Sequence, residues 1–280
     1  MNDQPIIAYN NLLQGVNYTV LSGVDEPSAP LSDAWIWDVS RPALPRADST
    51  GKLSFSVNMP ARFGYGVDAA GRFSKFGDSV SFGGLQIATA LILGAARNNS
   101  GGVRFSGGTL SVLADGVEVF NQAIWSPKNT STLFQLTAHP PAAVYTIAIT
   151  GLSADATVRL PEVFIGPVMT MPYLELGSNA YGERFKSTDF EAGTGRITRS
   201  LRFVRIEKRL RWRYLDSAQQ NEIKLFVETA LERLRPFWLV ESPDSNPAGA
   251  YLGYHKRDSA PMPLGAGMRA DFSINFVEAL

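Results

Sequence analysis

The chain predicts a mainly β protein with one packed α-helix, and three observations carry that expectation. Short apolar stretches recur roughly every ten residues through the first 170 positions, divided by Gly, Asn, Ser and Asp clusters. From Val204 onward a segment alternates strictly, with Val204, Ile206, Leu210, Trp212 and Tyr214 on one side and Arg205, Glu207, Arg209, Arg211 and Arg213 on the other. Directly after it, Ile223, Phe226, Val227, Ala230, Leu231 and Leu234 recur at helical intervals.

In chain order, the first strands are expected at Leu53-Phe55-Val57, Leu85 to Leu93, Leu110 to Leu113, Val117 to Phe120, Tyr145 to Ile149 and Val163 to Ile165. Asp115-Gly116 joins two of them and marks a tight hairpin, because both central residues of such a turn favour positive φ. Regular short strands of this kind argue a sandwich or jelly roll. The alternating segment reads as a half-buried strand with a cationic outer face. Asp216 and Ser217 then offer an N-cap, Gln220 completes a capping-box spacing with Ser217, and Pro236 ends the helix. Phe237 to Val240 reads as the next strand.

Charge density divides the chain. Residues 1–170 hold 10 basic and 12 acidic side chains, whereas the shorter 171–280 holds 16 and 14. The change falls near Gly166-Pro167 and Pro172, which predicts two domains, 1–170 and 171–280. At 280 residues each can bury its own core. The 26 basic and 26 acidic residues cancel, so no global attraction to nucleic acid or anionic membrane is expected. Cysteine is absent, which excludes disulfides and thiolate zinc sites. Met1-Asn2-Asp3-Gln4-Pro5 lacks the basic and apolar regions of a signal peptide, and the apolar run Ile87 to Ala96 is too short to span a bilayer. A soluble protein made in a cytoplasm, with no membrane insertion, is the expectation.

Catalytic chemistry is poorly supplied. His139 and His255 are the two histidines, neither in a metal-ligand spacing, and no nucleophile elbow, zinc-protease or Walker motif occurs. Gly64-Tyr65-Gly66 to Gly71 lacks the glycine spacing and the following helix of a phosphate loop. Asp25-Glu26, Asp33 and Asp38 read either as calcium ligands at a sandwich edge or as solvated loop carboxylates. No catalytic residue, cofactor or metal is expected. Trp35, Trp37, Tyr65 and Trp125 form either a platform for pyranose rings or core and subunit packing. The basic row, with Arg205, Arg209, Arg211 and Arg213 at its centre, has three readings: a subunit interface pairing with carboxylates, a phosphate-tracking surface, or a solvated face.

Two resemblances bear on function. Leu201 to Tyr214, Ser217 to Leu234 and Arg235-Pro236-Phe237-Trp238-Leu239-Val240 resemble the C-terminal part of distal-tail and minor-tail proteins of long-tailed bacteriophages, related to the tail tube. That resemblance implies a small β-sandwich or split barrel carrying one helix and assembling, in three or six copies, into a ring around a DNA channel. It implies tail-tube and tail-tip or hub proteins as neighbours, DNA only in passing, and a virion component assembled in host cytoplasm. Asn11-Leu12-Leu13, Tyr18-Thr19-Val20, Trp35-Ile36-Trp37-Asp38, Phe55-Ser56-Val57, Asn98 to Gly102, Tyr145 to Ile149 and Glu162 to Gly166 look like the discoidin or galactose-binding-like sandwich. The Asp-Gly-Arg phrase usual in that sandwich is missing here. Three function classes follow: a structural virion protein, a carbohydrate-binding module contacting a host surface, and a cell-wall or capsule-degrading enzyme.

Overall fold

A computed structural model describes residues 4–13, 16–35, 42–59, 62–63, 65–67, 73–75, 81–82, 88–94, 108–124, 131–160, 162–172, 180–191, 197–231, 235–247, 249–256 and 270–279. Of these, 62–82, 124, 180–205, 214, 218, 229 and 270 are described by backbone alone. The expected mainly β class holds: antiparallel strands dominate and there is one α-helix among the described residues. The chain divides into two compact units, Met1–Met171 with Trp238–Tyr251, and Pro172–Phe237 with Leu252–Leu280.

The first unit begins with β1 (Ile6–Ala8), β2 (Tyr18–Ser22), a 3-10 turn (Leu31–Trp35) and β3 (Leu53–Asn58). Four short strands follow, β4 (Arg62–Phe63), β5 (Tyr65–Val67), β6 (Phe73–Lys75) and β7 (Ser81–Phe82). Then come β8 (Ala90–Gly94), β9 (Gly108–Ala114), β10 (Val117–Ile124), β11 (Thr132–Gln135), β12 (Val144–Thr150), β13 (Glu162–Gly166) and β14 (Met169–Thr170). Five strands pair in the order β10-β9-β12-β3-β2 and three in the order β11-β8-β13. Phe55 and Val57 from β3, Leu110 and Val112 from β9, and Ile147 and Ile149 from β12 share one buried cluster with Leu91, Leu93, Val163 and Ile165 of the smaller sheet. The two sheets therefore form a sandwich.

Alternation explains the larger sheet, since β9 is buried at every second residue. By contrast, β8 and β13 are buried throughout, and their sequences, Ala-Leu-Ile-Leu-Gly and Glu-Val-Phe-Ile-Gly, are correspondingly unbroken. The second face of β8 meets Trp238, whose Cη2 lies 2.7 Å from where a Cβ on Gly94 would sit. Only glycine fits there. The Asp115-Gly116 hairpin adopts the expected positive φ values, 46° and 83°.

The second unit contains β15 (Ala180–Glu191), β16 (Ile197–Leu215), the helix α1 (Ser217–Phe226) continued by a π turn (Val227–Leu231), and β19 (Ala270–Glu278). It also takes Phe237 from β17 (Phe237–Val240) and Leu252 onward from β18 (Ala250–His255). Strands pair in the order β18-β19-β16-β15. Trp212 stacks on Phe272 at 5.8 Å, and Phe226 of the helix meets Phe272 at 6.5 Å and Phe237 at 5.0 Å. Phe237 in turn meets Phe276 at 5.5 Å, so an unbroken run of rings fastens the helix to the sheet.

The helix cap differs from the sequence expectation by one residue. Asp216 is the N-cap, its Oδ1 accepting from the Gln219 backbone N–H at 2.8 Å while Gln219 Oε1 accepts from the Asp216 N–H at 3.0 Å. Gln220 instead donates to the Leu215 carbonyl at 2.8 Å. A carboxylate is the stronger acceptor beside the positive end of the helix, so Asp216 wins over Ser217.

Candidate functional site

Two places emerge: a hydrogen-bonded corner of the sandwich and the cationic face of β16. At the corner, β2 presents Tyr18, whose hydroxyl donates to Asp25 Oδ2 at 2.5 Å; Asp25 Oδ1 accepts from the Leu31 N–H at 2.8 Å. Burial, reinforced by the hydrogen bond to the Asp25 carboxylate, pushes the Tyr18 phenol above its ordinary range. Glu26 pairs with Arg46 at 2.5 Å. Asp25 and Glu26 thus fix the turn that leads into Leu31–Trp35. Asp38 lies outside the described residues, and among the described residues no group of three His, Asp or Glu side chains could hold a metal.

Asp48 organises the neighbouring turn. Its carboxylate accepts from the Ser22 hydroxyl, from the Thr50 N–H at 2.8 Å and hydroxyl at 2.6 Å, and from the Lys52 N–H at 3.0 Å. These donors, the Ser22 hydroxyl first, hold the carboxyl well below the usual carboxylate range. Asp48-Ser49-Thr50-Gly51 is a legible Asx-turn signal in the sequence, absent from the motifs named above.

Trp35 is not a platform. It is 4 % exposed, edge-on to Tyr18 at 5.3 Å and tilted against Phe55 at 6.0 Å, so its indole faces are spent in the core. The short helical turn Leu31–Trp35 rotates it inward between β2 and β3. Trp37, Trp125 and the Gly64 to Gly71 stretch's Gly64 and Gly71 lie outside the described residues, and Tyr65 is described by backbone alone. His139 faces two carbonyls, Ala88 O at 2.9 Å and Pro140 O at 2.6 Å, with Tyr145 edge-on at 5.6 Å. His255 Nδ1 accepts from the Asn275 N–H at 3.3 Å. Both imidazoles are bound to backbone.

On β16 the predicted alternation is present. Ile206, Leu210 and Trp212 are buried, while Arg209 and Arg213 are exposed. Arg211 and Arg213 converge on Asp271 of β19, at 3.0 and 3.7 Å. Arg205 is described by backbone alone and stands opposite Arg184 in the β15–β16 ladder. Lys208 departs from the basic row: it is 4 % exposed, on the core side, opposite Phe276. Glu278, one residue past the last β16–β19 pair, accepts from the Ile206 N–H at 2.9 Å, supplying by side chain the acceptor that the ladder lacks where β19 ends.

No family model matches the chain, and no curated protein matches it. Among solved structures it is similar to the lectin domain of lectinolysin complexed with Lewis B antigen, at 13% identity, TM-score 0.37, covering 56% of this chain and 95% of that one. A Streptococcus pneumoniae fucose-binding module is similar at 14% identity and TM-score 0.35, covering 56% and 96%. The family 32 carbohydrate-binding module from C. perfringens NanJ, in complex with galactose, is similar at 13% identity and TM-score 0.35, covering 58% and 99%.

Proposed function

We propose that this chain is a non-enzymatic recognition protein whose first unit binds carbohydrate. One observation carries the reading: the first unit is a two-sheet antiparallel sandwich around a single core, an architecture that sugar-binding and capsid domains both use. Its carboxylates at Asp25, Glu26 and Asp48 are committed to holding loops, which suits a fixed binding rim and leaves none of them poised for acid–base work. With Trp35 in the core, Trp37 and Trp125 remain the aromatic candidates for stacking on a sugar. A glycan array probed with the full chain, with and without chelator, tests this. Binding that survives chelation and falls in Trp37→Ala or Trp125→Ala is the expected result. An empty array overturns it, and release of new reducing ends from host polysaccharide would turn the reading to an enzyme.

A second reading, the structural virion subunit of a phage tail, rests on a different observation. Residues 197–206 of β16 pair with β15 but, among the described residues, with no strand on the other side, so a two-stranded ribbon continues past the end of the β16–β19 pairing. Isolated two-stranded ribbons are marginal in water, which favours docking against another chain. Light scattering of the wild type should then give a multimer of defined copy number. Replacing residues 188–200 by an Asn-Gly turn should give a folded monomer. A wild type that stays monomeric at every concentration removes this reading.

A further inference from the structure

We infer that the outer face of the second unit's sheet is a binding site for a linear, carboxylate-bearing polysaccharide. The site is separate from the sandwich and goes beyond the function proposed for it.

Register puts the relevant side chains together. Across the sheet, Arg209 stands opposite Asn275 and Arg211 opposite Ser273, while Glu207, Val277 and Tyr254 form one cross-strand row. Directly opposite residues of antiparallel strands share a face, so Arg209, Arg211, Arg213, Glu207, Asn275, Ser273 and Tyr254 lie on one surface. On the β15 side Arg209 and Glu207 stand opposite Ala180 and Gly182. Arg209 and Arg213 are exposed, and Arg211, Ser273 and Asn275 are half-buried. Tyr254 is 38% exposed, the ring among the exposed large apolar side chains of the described residues.

The chemistry selects among partners. A protein interface wants a central apolar anchor, and the arginine stretch of this face offers guanidinium, hydroxyl and amide groups instead. A nucleic acid presents continuous phosphate, which the carboxylates of Glu207 and Asp271 inside the row would repel. An acidic polysaccharide carries its charges singly, with neutral hydroxyls between them. The exposed Arg209 guanidinium and the Arg211–Arg213 pair gathered about Asp271 meet its carboxylates. Glu207 and Asp271 accept from its hydroxyls, Ser273 and Asn275 serve either role, and the Tyr254 ring offers a face for a pyranose. From Arg209 to Arg213 the row runs about 14 Å, enough for a short oligomer rather than a single sugar.

Calorimetry of the full chain with oligogalacturonate, dextran oligomers, oligo-dT and poly-glutamate tests the inference. Oligogalacturonate is expected to bind, more weakly as salt rises. Arg209→Ala with Arg213→Ala should lower that affinity roughly tenfold or more, and Tyr254→Ala severalfold, each with an unchanged circular-dichroism melt. Absence of oligogalacturonate binding overturns the inference, as does tighter binding of oligo-dT or poly-glutamate. Equal binding in the double variant, or light scattering in which the double variant loses self-association, assigns the face elsewhere and also overturns it. Dextran or array binding through the sandwich is read independently, so the two proposals can fail separately.

Discussion

The two units solve the same problem, holding antiparallel strands in register, with different materials. In the sandwich, side chains reach over to backbone: Asn11 donates to the Val163 carbonyl at 2.9 Å and accepts from Leu13 and Ile165 N–H groups at 3.1 and 3.2 Å. The Asp115 carboxylate accepts from the Ala143 and Val144 N–H groups, and the Tyr145 hydroxyl accepts from the Ala88 N–H at 2.9 Å. In the second unit the ring sequence from Trp212 through Phe272, Phe226 and Phe237 to Phe276 carries the load by packing. Polar pins fix individual loops one at a time, whereas a packed run of rings makes its members depend on each other. The difference teaches where each unit is vulnerable: the sandwich to the loss of one acceptor, the second unit to the loss of volume.

The largest expected effect tests the packing half of that contrast. Trp212→Ala empties a fully buried site and should cost about 4 kcal/mol, with loss of hydrogen-exchange protection across 206–215 and 270–278. Native-like protection in both strands would show that the rings are not what holds the helix. Next comes Asn11→Ala, which strands a carbonyl and two N–H groups in a buried place and should cost about 3 kcal/mol by denaturant titration. If it costs no more than an exposed substitution, the polar-pin account of the sandwich fails. A smaller effect belongs to the helix start: Asp216→Ala should cost about 1 kcal/mol, and Ser217→Ala nearly nothing. The reverse ranking would return the cap to Ser217.

Smallest is a pH effect at the sandwich corner. The folded state holds the Asp48 carboxyl below its ordinary value, so the ionised form stabilises the fold at pH above the unfolded value. That contribution fades as pH falls through and below the ordinary carboxylate range. Acid unfolding followed by fluorescence should therefore be shallower in Asp48→Asn than in the wild type. Coincident acid limbs would mean that the exposed turn contributes nothing through this charge.

Much of this contrast was legible in the chain. Asp115-Gly116, the alternation from Ile206 to Arg213 and the Phe237 to Val240 strand appear where their patterns put them, because each depends on residues a few positions apart. The strand Ala270–Glu278 was not among the expected ones, although Phe272, Ile274 and Phe276 alternate with Ser273 and Asn275 just as plainly. Other features depend on partners far along the sequence. Lys208 turns inward beside Phe276, about seventy residues away, and Asn11 pins Val163 at a separation of 152 residues. Between platform and core the local sequence around Trp35 does not choose, because nothing nearby announces Phe55 on its other side. Trp238 belongs with the first unit because its ring fills the space over Gly94. Composition says that a ring will be buried; only topology says against what.

The ribbon of β15 and β16 has a mechanical consequence. From Arg184 opposite Arg205 to Glu191 opposite Ile197 its two strands are joined rung by rung, with one bulge between Lys186 and Ser187. A pull along its length in opposite senses on the two strands loads all these rungs in shear together, so the ribbon resists as a unit. A pull that spreads the two strands apart at one end of the ladder loads one rung at a time and peels it. The bulge, where the ladder is already interrupted, is the place where such peeling would pause or restart. The same two strands are thus stiff as a tether and soft as a zipper, according to the direction in which they are drawn.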